Sequence, residues 1–277
     1  MYKQGTDINV KVGDITVNYN DLGEGKLPVI FIHGFPFDKS SWKLQLDYLK
    51  QYQRVIAYDI RGYGKSTLNN EKISITLLAD DLINFMDALQ IPKAIVCGLS
   101  MGGYILLNAL NRYRERFAAI ILSDTQCISD TAEAKEKRHK NIALIESGGF
   151  AEYVENMIKN LFHPDSFITR KESVDAIRKT MLFASPQLVT DTLKALANRE
   201  EMCYSLENIL IPTLIISGKD DKSVPPQQSV FMHQQIPRSI LNLIEKAGHL
   251  PNLEKPDEFN RLVKDFALSI NVMEVAG

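Results

Sequence analysis

The sequence predicts an α/β fold: a doubly wound, mostly parallel sheet with a helical cap inserted between two of its strands. Short, continuous apolar runs alternate with segments of helical periodicity, the order expected when helices cover both faces of a parallel sheet. The alternation stops from about residue 126 to residue 208, where only helical patterns occur. We therefore expect a core formed by residues 1–125 and 209–277 and a cap formed by residues 126–208.

Six apolar runs are predicted to be strands that are covered on both faces. They occupy residues 29–32, 54–58, 94–97, 119–122, 214–217 and 240–244. An earlier stretch, residues 14–20, alternates between apolar and polar residues with a period of two. That alternation predicts an antiparallel edge hairpin with the segment before it.

Apolar residues at helical spacing predict the helices between these strands. Residues 78–89 and residues 259–270 each present one apolar face, and Pro256 is placed to open the second of these helices. In the cap, Ser185 and Pro186 provide a capping side chain and a first-turn proline for a helix over residues 188–196.

Two further cap segments, residues 150–162 and residues 174–182, repeat apolar side chains at the same helical spacing. The basic run at residues 135–140 is interrupted by an acid, so we expect the solvated face of another helix there. A helical insertion between two parallel strands predicts a lid over the carboxyl ends of the sheet, where open α/β sheets bind ligands.

The composition argues against nucleic-acid and membrane partners. The chain has 277 residues, of which 45% are hydrophobic and 24% charged, and a formal net charge of −2. Nucleic acids and anionic membranes are bound through a basic face, which this balance does not favour. The polar start has no apolar segment of a signal peptide, and no later apolar run is long enough to span a bilayer. We therefore expect a cytoplasmic protein.

The three cysteines, Cys97, Cys127 and Cys203, are far apart in the chain and show no histidine spacing typical of a metal site. We interpret them as reduced thiols, with Cys97 buried in the strand at residues 94–97. No motif for a metal or a cofactor is present, so the sequence predicts neither. It does not predict an oligomeric state.

The motif Gly-Leu-Ser-Met-Gly at residues 98–102 is the strongest functional signal in the chain. It follows a predicted strand and opens an apolar helical segment, which is the context of a nucleophile elbow. A side chain at Gly98 or Gly102 would meet its neighbours across such a tight turn. The sequence therefore predicts that Ser100 is a nucleophile at the N-terminus of a helix.

A serine hydroxyl needs a base to accept its proton, and histidine is the usual one. His249 follows the last predicted strand and precedes the last helix, so it lies at the same sheet edge as Ser100 and is the best candidate. His33 directly follows another strand and is a possible supporting group, whereas His139, His163 and His233 are expected to be structural or exposed.

The acid that orients this base should lie between the serine and the histidine, as in other proteins with a nucleophile elbow. Asp220 and Asp221 follow the penultimate strand, and spacing alone does not decide between them. Asp124 is a third carboxylate at the same edge, although a loop or capping role is expected for it. For the oxyanion, the amide of Met101 follows from the elbow, and Phe35, after the strand at residues 29–32, is the candidate second donor.

These residues belong to five motifs, at residues 33–36, 59–66, 98–103, 218–225 and 248–254, through which nearly the whole chain resembles the cofactor-free α/β-hydrolase superfamily. The resemblance implies that the acid stands three residues after Gly218 and four before Pro225, which selects Asp221. It also supports Phe35 as an oxyanion donor, and it implies a structural role for residues 59–66.

Within that superfamily the chain is similar to carboxylesterases and 3-oxoadipate enol-lactonases. The similarity implies a serine hydrolase that cleaves small carboxylic esters through an acyl-enzyme intermediate, with Ser100, Asp221 and His249 as its triad. The alternatives are a lactone hydrolase of the enol-lactonase kind, a cofactor-free perhydrolase or haloperoxidase, and a small-molecule receptor or regulatory partner with little turnover. Dehalogenases and epoxide hydrolases of this superfamily use an aspartate nucleophile, so Ser100 counts against both.

The substrate is expected to be a small ester or lactone held under the cap. The cap stripe that contains Tyr153, Met157 and Phe162 is apolar, which favours short or medium neutral acyl chains. A dicarboxylic lactone would need a cation in the pocket, because an unpaired buried charge is costly. Three cap arginines are candidates, but their sequence contexts predict exposed side chains; they are Arg138, Arg170 and Arg178.

Overall fold

A computed structural model describes residues 4–276 of the chain, and the side chains of residues 4–270. The first three residues of the polar start discussed above lie outside this part. The described residues form one sheet of eight strands. The strands are β1 (Gly5–Val12), β2 (Ile15–Leu22), β3 (Val29–Ile32), β4 (Val55–Tyr58), β5 (Ala94–Leu99), β6 (Phe117–Ser123), β7 (Thr213–Gly218) and β8 (Ser239–Ile244).

The strand order is β1-β2-β4-β3-β5-β6-β7-β8. β1 pairs with β2 and β2 pairs with β4 in antiparallel fashion, and all the other neighbours are parallel. The crossover from β3 to β4 and back to β5 places helices on both sides of the sheet. The predicted doubly wound, mostly parallel sheet and its antiparallel edge hairpin are confirmed.

Burial follows position in the sheet. Every residue of β3, β4, β5, β6 and β7 is buried, as the continuous apolar runs predict. β8 differs, because Ile240 is 57% exposed and Leu243 is 37% exposed. The prediction that this run is covered on both faces is wrong, because β8 is an edge strand with a neighbour on one side only.

Eleven α-helices surround the sheet in the described part of the chain. They are α1 (Lys43–Leu49), α2 (Ile75–Ala88), α3 (Met101–Arg112), α4 (Ala132–Glu146), α5 (Phe150–Leu161), α6 (Ser166–Thr169), α7 (Lys171–Phe183), α8 (Pro186–Ala197), α9 (Pro226–Gln235), α10 (Pro251–Glu254) and α11 (Pro256–Ala276). As the sequence predicted, α11 begins at Pro256. No helix among the described residues is both long enough and apolar enough to cross a membrane.

The segment between β6 and β7 contains α4 to α8 and no strand, throughout a stretch that the structure describes completely. α8 begins as predicted: Ser185 Oγ accepts a hydrogen bond from the Leu188 N–H at 3.5 Å, and Pro186 occupies the first turn. The residues of α4 in the basic run are mostly exposed, as a solvated helix face requires. This helical segment is called the cap below.

Cys127 and Cys203 form a disulfide, and Cys97 is a buried thiol. The interpretation of all three cysteines as reduced thiols is therefore wrong for Cys127 and Cys203. The two are 76 residues apart in sequence, which concealed their pairing. They meet because Cys127 lies where the chain enters the cap and Cys203 where it returns towards β7, and the Met202 N–H also joins these two connections by donating to the Cys127 carbonyl at 2.8 Å.

Candidate active site

Ser100 occupies the turn between β5 and α3. Its backbone has φ of 53° and ψ of −114°, a conformation that non-glycine residues adopt only under constraint. Neighbouring backbone supplies the constraint: a Cβ atom at Gly98 would lie 2.4 Å from the Gly102 carbonyl oxygen, and one at Gly102 would lie 2.4 Å from the Ile32 carbonyl oxygen. The predicted elbow is therefore present, and both glycines are sterically required.

His249 and Asp221 meet at the same edge of the sheet. The His249 Nδ1 atom lies 2.7 Å from Asp221 Oδ2, and both side chains are buried. The other carboxylate oxygen, Asp221 Oδ1, accepts the N–H groups of Ser223 at 2.7 Å and Val224 at 3.0 Å. In the tautomer of a neutral imidazole that donates from Nδ1 to Asp221, His249 Nε2 is the acceptor nitrogen.

The two adjacent aspartates are clearly distinguished by their surroundings. The Asp220 side chain is 47% exposed, and its Oδ2 atom lies 3.9 Å from His163 Nε2, away from His249. Its main-chain N–H donates to the Ala247 carbonyl at 2.9 Å. The structure thus brings Asp221, and not Asp220, to the candidate base.

Asp124, at the end of β6, is a completely buried neighbour of this pair. Its Oδ1 atom accepts the Gly218 N–H at 2.8 Å, and its Oδ2 atom accepts the Ser123 hydroxyl at 2.8 Å. Burial, and after it the negative charge of Asp221, raises the pKa of Asp124 well above its ordinary value. Asp124 therefore ties the end of β6 to the end of β7, a role beyond the loop or capping function that its sequence context predicted.

Asp124, Asp221 and His249 also form a group whose nitrogen and oxygen atoms lie within 4.8 Å of one another, as in many metal sites. The prediction of no metal depended on spacing along the chain, which does not reveal residues that three separate loops bring together. All four carboxylate oxygens of the group already have a hydrogen-bond partner. The carboxylate oxygens that could bind a metal ion are therefore already used in a hydrogen-bond network around His249.

The candidate oxyanion donors border the same pocket as the serine and the histidine. Phe35 and Met101 line it together with Ser100 and His249. His33, two residues before Phe35, fixes the loop: its Nε2 atom accepts the Ile60 N–H at 3.0 Å, and its Nδ1 atom lies 2.9 Å from the Gly34 carbonyl oxygen. Burial lowers the pKa of His33, so the ring is neutral and suited to this supporting role.

The pocket has a volume of about 360 Å³ and lies between the sheet edge and the cap. Its core wall contains the elbow, the His249 loop and the segment after Asp221. Its cap wall is formed by α4, α5 and α8. The sequence-predicted nucleophile, base and oxyanion donors therefore share one cavity under the cap.

The sequence profile of the α/β-hydrolase fold matches residues 28–256. The chain belongs to this family. It is 29% identical over 252 residues to 3-oxoadipate enol-lactonase 2 of Acinetobacter baylyi, with 91% of this chain and 92% of that protein covered. The predicted fold and the predicted superfamily resemblance are confirmed.

Solved structures agree with this family assignment. A thermophilic esterase from Thermogutta terrifontis with malate bound is 32% identical and superposes with a TM-score of 0.90, covering 95% of this chain and 98% of that one. The enol-lactonase from Burkholderia xenovorans LB400 superposes with a TM-score of 0.87 at 24% identity, covering 94% of this chain and 100% of that one. At that identity the second likeness shows the fold alone.

Two of the three cap residues proposed to line the pocket of this hydrolase do so. Tyr153 and Met157 border it, but Phe162 is buried elsewhere, with its ring 6.3 Å from that of Phe167. Phe162 follows the last residue of α5 and has extended backbone, so it does not continue the helix face that carries Tyr153 and Met157. The placement of Phe162 in the pocket is therefore wrong.

The cap wall is more polar than the sequence predicted. α5 presents Asn156 and Asn160 next to its apolar residues, and α4 presents Ala134, Lys137, Arg138 and Asn141 at the spacing of one helix face. The basic run of α4 is thus partly a pocket wall and not only a solvated face. The expected apolar roof over the substrate is confined to the Tyr153 and Met157 side.

Of the three cap arginines, only Arg138 lines the pocket, where it donates to the buried Asp130. Arg170 instead donates to the Glu254 carbonyl at 3.1 Å, and Arg178 lies 2.8 Å from Glu155. Burial raises the pKa of Asp130, but hydrogen bonds from Arg138 and from Arg199 outweigh it, so the net shift is downward. Asp130 is therefore an ionised partner for Arg138.

Glu254 is a positioning residue to which the sequence analysis gave no role. Its Oε1 atom accepts the Gly248 N–H at 2.7 Å, and its Oε2 atom accepts the His163 N–H at 2.7 Å and the Ser166 hydroxyl at 2.6 Å. One buried carboxyl group thus joins the His249 loop to the cap. The only indication in the sequence was an acidic residue at the end of the motif at residues 248–254.

Proposed function

We propose that this hydrolase cleaves small carboxylic esters by two-step acyl transfer. The observation that carries the proposal is the 2.7 Å hydrogen bond between His249 Nδ1 and Asp221 Oδ2, in the pocket that also contains Ser100 on its elbow. A nucleophile, a base and an acid that holds the base in one tautomer are the elements of serine hydrolysis.

In the first step, His249 Nε2 accepts the Ser100 hydroxyl proton as Ser100 Oγ attacks the ester carbonyl carbon. The carbonyl oxygen becomes negative, and the main-chain amides of Phe35 and Met101 stabilise it. The protonated imidazole remains paired with the ionised Asp221. It then returns the proton to the departing alkoxide, which leaves as an alcohol, and Ser100 carries the acyl group.

In the second step, water replaces the alcohol. His249 Nε2 accepts a proton from the water as its oxygen attacks the acyl carbon, and the same two amides stabilise the second oxyanion. Return of the proton to Ser100 Oγ breaks the acyl bond and releases the carboxylic acid. No residue changes its net protonation over the full cycle, so one enzyme molecule performs many turnovers.

The size of the pocket supports a small substrate. Its volume of about 360 Å³ is at the lower end of the range for small-molecule sites. The similarity to an esterase at 32% identity over nearly the whole chain supports ester chemistry. The size and this similarity favour esters with short chains.

A second candidate is a lactone or ester that carries a free carboxylate. Three basic residues line the pocket, Lys137, Arg138 and Lys222, against one acid, Asp130. Within the part of the chain that the structure describes, the ammonium groups of Lys137 and Lys222 have no carboxylate partner. A positively charged pocket on a chain of net charge −2 is suited to an anionic ligand. A relative named 3-oxoadipate enol-lactonase and the structure of an esterase with malate bound both favour this candidate.

The two candidates are separated by measuring kcat/KM for p-nitrophenyl butyrate and for 3-oxoadipate enol-lactone with the same preparation. Neutral-ester hydrolysis predicts a higher value for the butyrate and little effect of Lys137→Ala or Lys222→Ala. The anionic candidate predicts a higher value for the lactone and a selective loss of lactone hydrolysis in both variants. Lys135→Ala, on the same helix but outside the pocket, is the control.

The proposal of ester chemistry as a whole is tested by turnover. Steady-state hydrolysis of either substrate that Ser100→Ala abolishes supports it. A single acylation of Ser100 without continued turnover would identify a receptor or regulatory partner instead. Hydrolysis that persists in Ser100→Ala would overturn the proposed mechanism.

A further inference from the structure

A second cavity, of about 420 Å³, adjoins the pocket that contains Ser100. Tyr104 and Gln126 line both spaces, so these two residues lie at the partition between them. The far walls of the second cavity are the start of α2, the end of α8 and the segment around Met202. The proposed acyl-transfer mechanism makes no use of this space.

The backbone on both sides of Gln126 is held in place, whereas its side chain has no hydrogen bond among the described residues. The residue before it is held by the Thr125 hydroxyl, which donates to the Ser100 carbonyl at 2.8 Å. The residue after it is held by the Cys127–Cys203 disulfide and by the Met202 N–H, which donates to the Cys127 carbonyl at 2.8 Å. Within residues 4–270, by contrast, the half-buried Gln126 side-chain amide makes no hydrogen bond. Its rotamer can therefore change without any movement of the neighbouring chain.

Tyr104 is the fixed half of the partition. It is buried on α3, one turn after Ser100, and the guanidinium carbon of Arg199 lies 4.4 Å from its ring centroid. Arg199 is itself held by its ion pair with the buried Asp130. A change in the partition must therefore come from Gln126.

We propose that Gln126 limits the length of the ester chain that the Ser100 pocket accepts, by closing the second cavity to the substrate. This inference rests on the proposed ester hydrolysis and adds the residue that sets its chain-length specificity. With a smaller side chain at position 126, a long chain would pass from the first pocket into the second cavity. Ile75, Leu107 and Met202 line that cavity among polar residues, and they would contact the added methylene groups and shield part of the chain from water.

The test compares p-nitrophenyl butyrate with p-nitrophenyl octanoate in the wild-type protein and in Gln126→Ala. The ratio of kcat/KM for octanoate to that for butyrate is expected to rise about tenfold or more, since even one methylene group is discriminated by about this factor. Gln126→Met, which has a side chain of similar length, should keep the wild-type ratio. Gln126→Ser is a second small variant in case the alanine variant folds poorly.

A second substrate series establishes which part of the ester enters the cavity. Butyl acetate and octyl acetate vary the alcohol, whereas the p-nitrophenyl esters vary the acyl chain. A gain in either series supports the inference and identifies the part concerned. The absence of a gain in both series would overturn it.

A blocking variant shows whether the gain comes from the second cavity. Asn198 is exposed and borders that cavity but not the first pocket. Asn198→Trp fills the cavity from outside, so it should remove the long-chain gain from the Gln126→Ala background while leaving butyrate hydrolysis by the otherwise wild-type protein intact. A gain that persists in the double variant would overturn the role of the cavity.

This test also separates the inference from the function on which it rests. Wild-type hydrolysis of butyrate, lost in Ser100→Ala, establishes the function independently of position 126. If that hydrolysis is present and the chain-length ratio does not change in Gln126→Ala, only the inference is wrong. If neither butyrate nor 3-oxoadipate enol-lactone is hydrolysed, the proposed function is wrong, and the inference is wrong with it. If only the lactone is hydrolysed, the chain-length inference alone is wrong.

Discussion

The main-chain N–H of His249 donates a hydrogen bond to the carbonyl oxygen of Leu161, with 2.8 Å between the two atoms. Leu161 is the last residue of α5, so the loop that carries the candidate base is attached directly to the cap. Glu254 makes a second connection between the same two regions. The cap therefore helps to position His249 in addition to covering the pocket.

Ser100→Ala should lower kcat by several orders of magnitude without loss of folding. The hydroxyl is the proposed nucleophile, and its removal leaves only the oxyanion donors, which in serine proteases contribute roughly 10³-fold over water. Steady-state kinetics and thermal unfolding of the same sample check this. A fluorophosphonate or sulfonyl fluoride should label Ser100, and inactivation by labelling at another residue would contradict the assignment.

Asp221→Asn should lower kcat by about 10⁴-fold, the loss found when a protease triad acid is replaced in this way. The amide no longer stabilises the imidazolium and no longer holds the reactive tautomer of His249. Asp220→Asn is the matched control, because its exposed side chain is directed away from the base and should change kcat little. Equal losses in the two variants would show that Asp221 is not the orienting acid.

Asp124→Asn should retain most of the activity and change the pH dependence of stability. The ordinary pKa is 3.8, and burial, followed by the charge of Asp221, raises the native pKa well above it. Between these two pKa values the native state keeps a proton that the unfolded state releases, so a rise in pH favours unfolding, by up to about 1.4 kcal/mol per pH unit. The wild-type protein should therefore lose stability relative to Asp124→Asn as the pH rises from about 4.

Urea unfolding of both proteins between about pH 4 and pH 8 measures this difference. A difference in the free energy of unfolding that is constant over the range would contradict the shifted pKa of Asp124. A kcat loss in Asp124→Asn as large as that in Asp221→Asn would mean that the acid lies at the end of β6 instead.

Glu254→Ala should reduce both stability and activity. It leaves the buried N–H group of Gly248 and the partly buried N–H group of His163 without an acceptor, and a fully buried group in this state costs about 1–3 kcal/mol. Urea unfolding measures the loss of stability, and kcat/KM measures the displacement of the His249 loop. Glu254→Gln keeps a carbonyl acceptor and should lie between the alanine variant and the wild-type protein. Full activity in Glu254→Ala would show that the cap connection does not position the base.

Treatment with EDTA should leave kcat/KM unchanged, although Asp124, Asp221 and His249 are close enough to bind a metal ion together. The hydrogen bonds that these carboxylates accept already complete the network around the base. The measurement compares ester hydrolysis before EDTA, after EDTA and after addition of Zn²⁺. Activity that EDTA abolishes and Zn²⁺ restores would replace the proposed mechanism with a metal-dependent one.

Local patterns were sufficient to predict the sheet, the cap helices and the elbow. Continuous apolar runs, helical spacing and the steric demands of Gly98 and Gly102 act between residues that are close in the chain, so they can be recognised without a structure. The roles of Ser100, Asp221 and His249 stay predictions until they are measured, although the structure places Asp221 and His249 within hydrogen-bonding distance. The prediction that both faces of β8 are covered was wrong because β8 lies at the edge of the sheet, and the apolar pattern of a strand does not show its place in the strand order.

The sequence by itself determined the fold class, the elbow and the candidate base, because each depends on short-range periodicity or on order along the chain. Only the tertiary structure decided which distant groups meet. It paired Cys127 with Cys203, placed Asp124 beside Asp221, and directed α4 so that Lys137 and Arg138 face the pocket. Such contacts depend on how strand ends and helix faces pack in space, and the spacing of residues along the sequence does not show that packing.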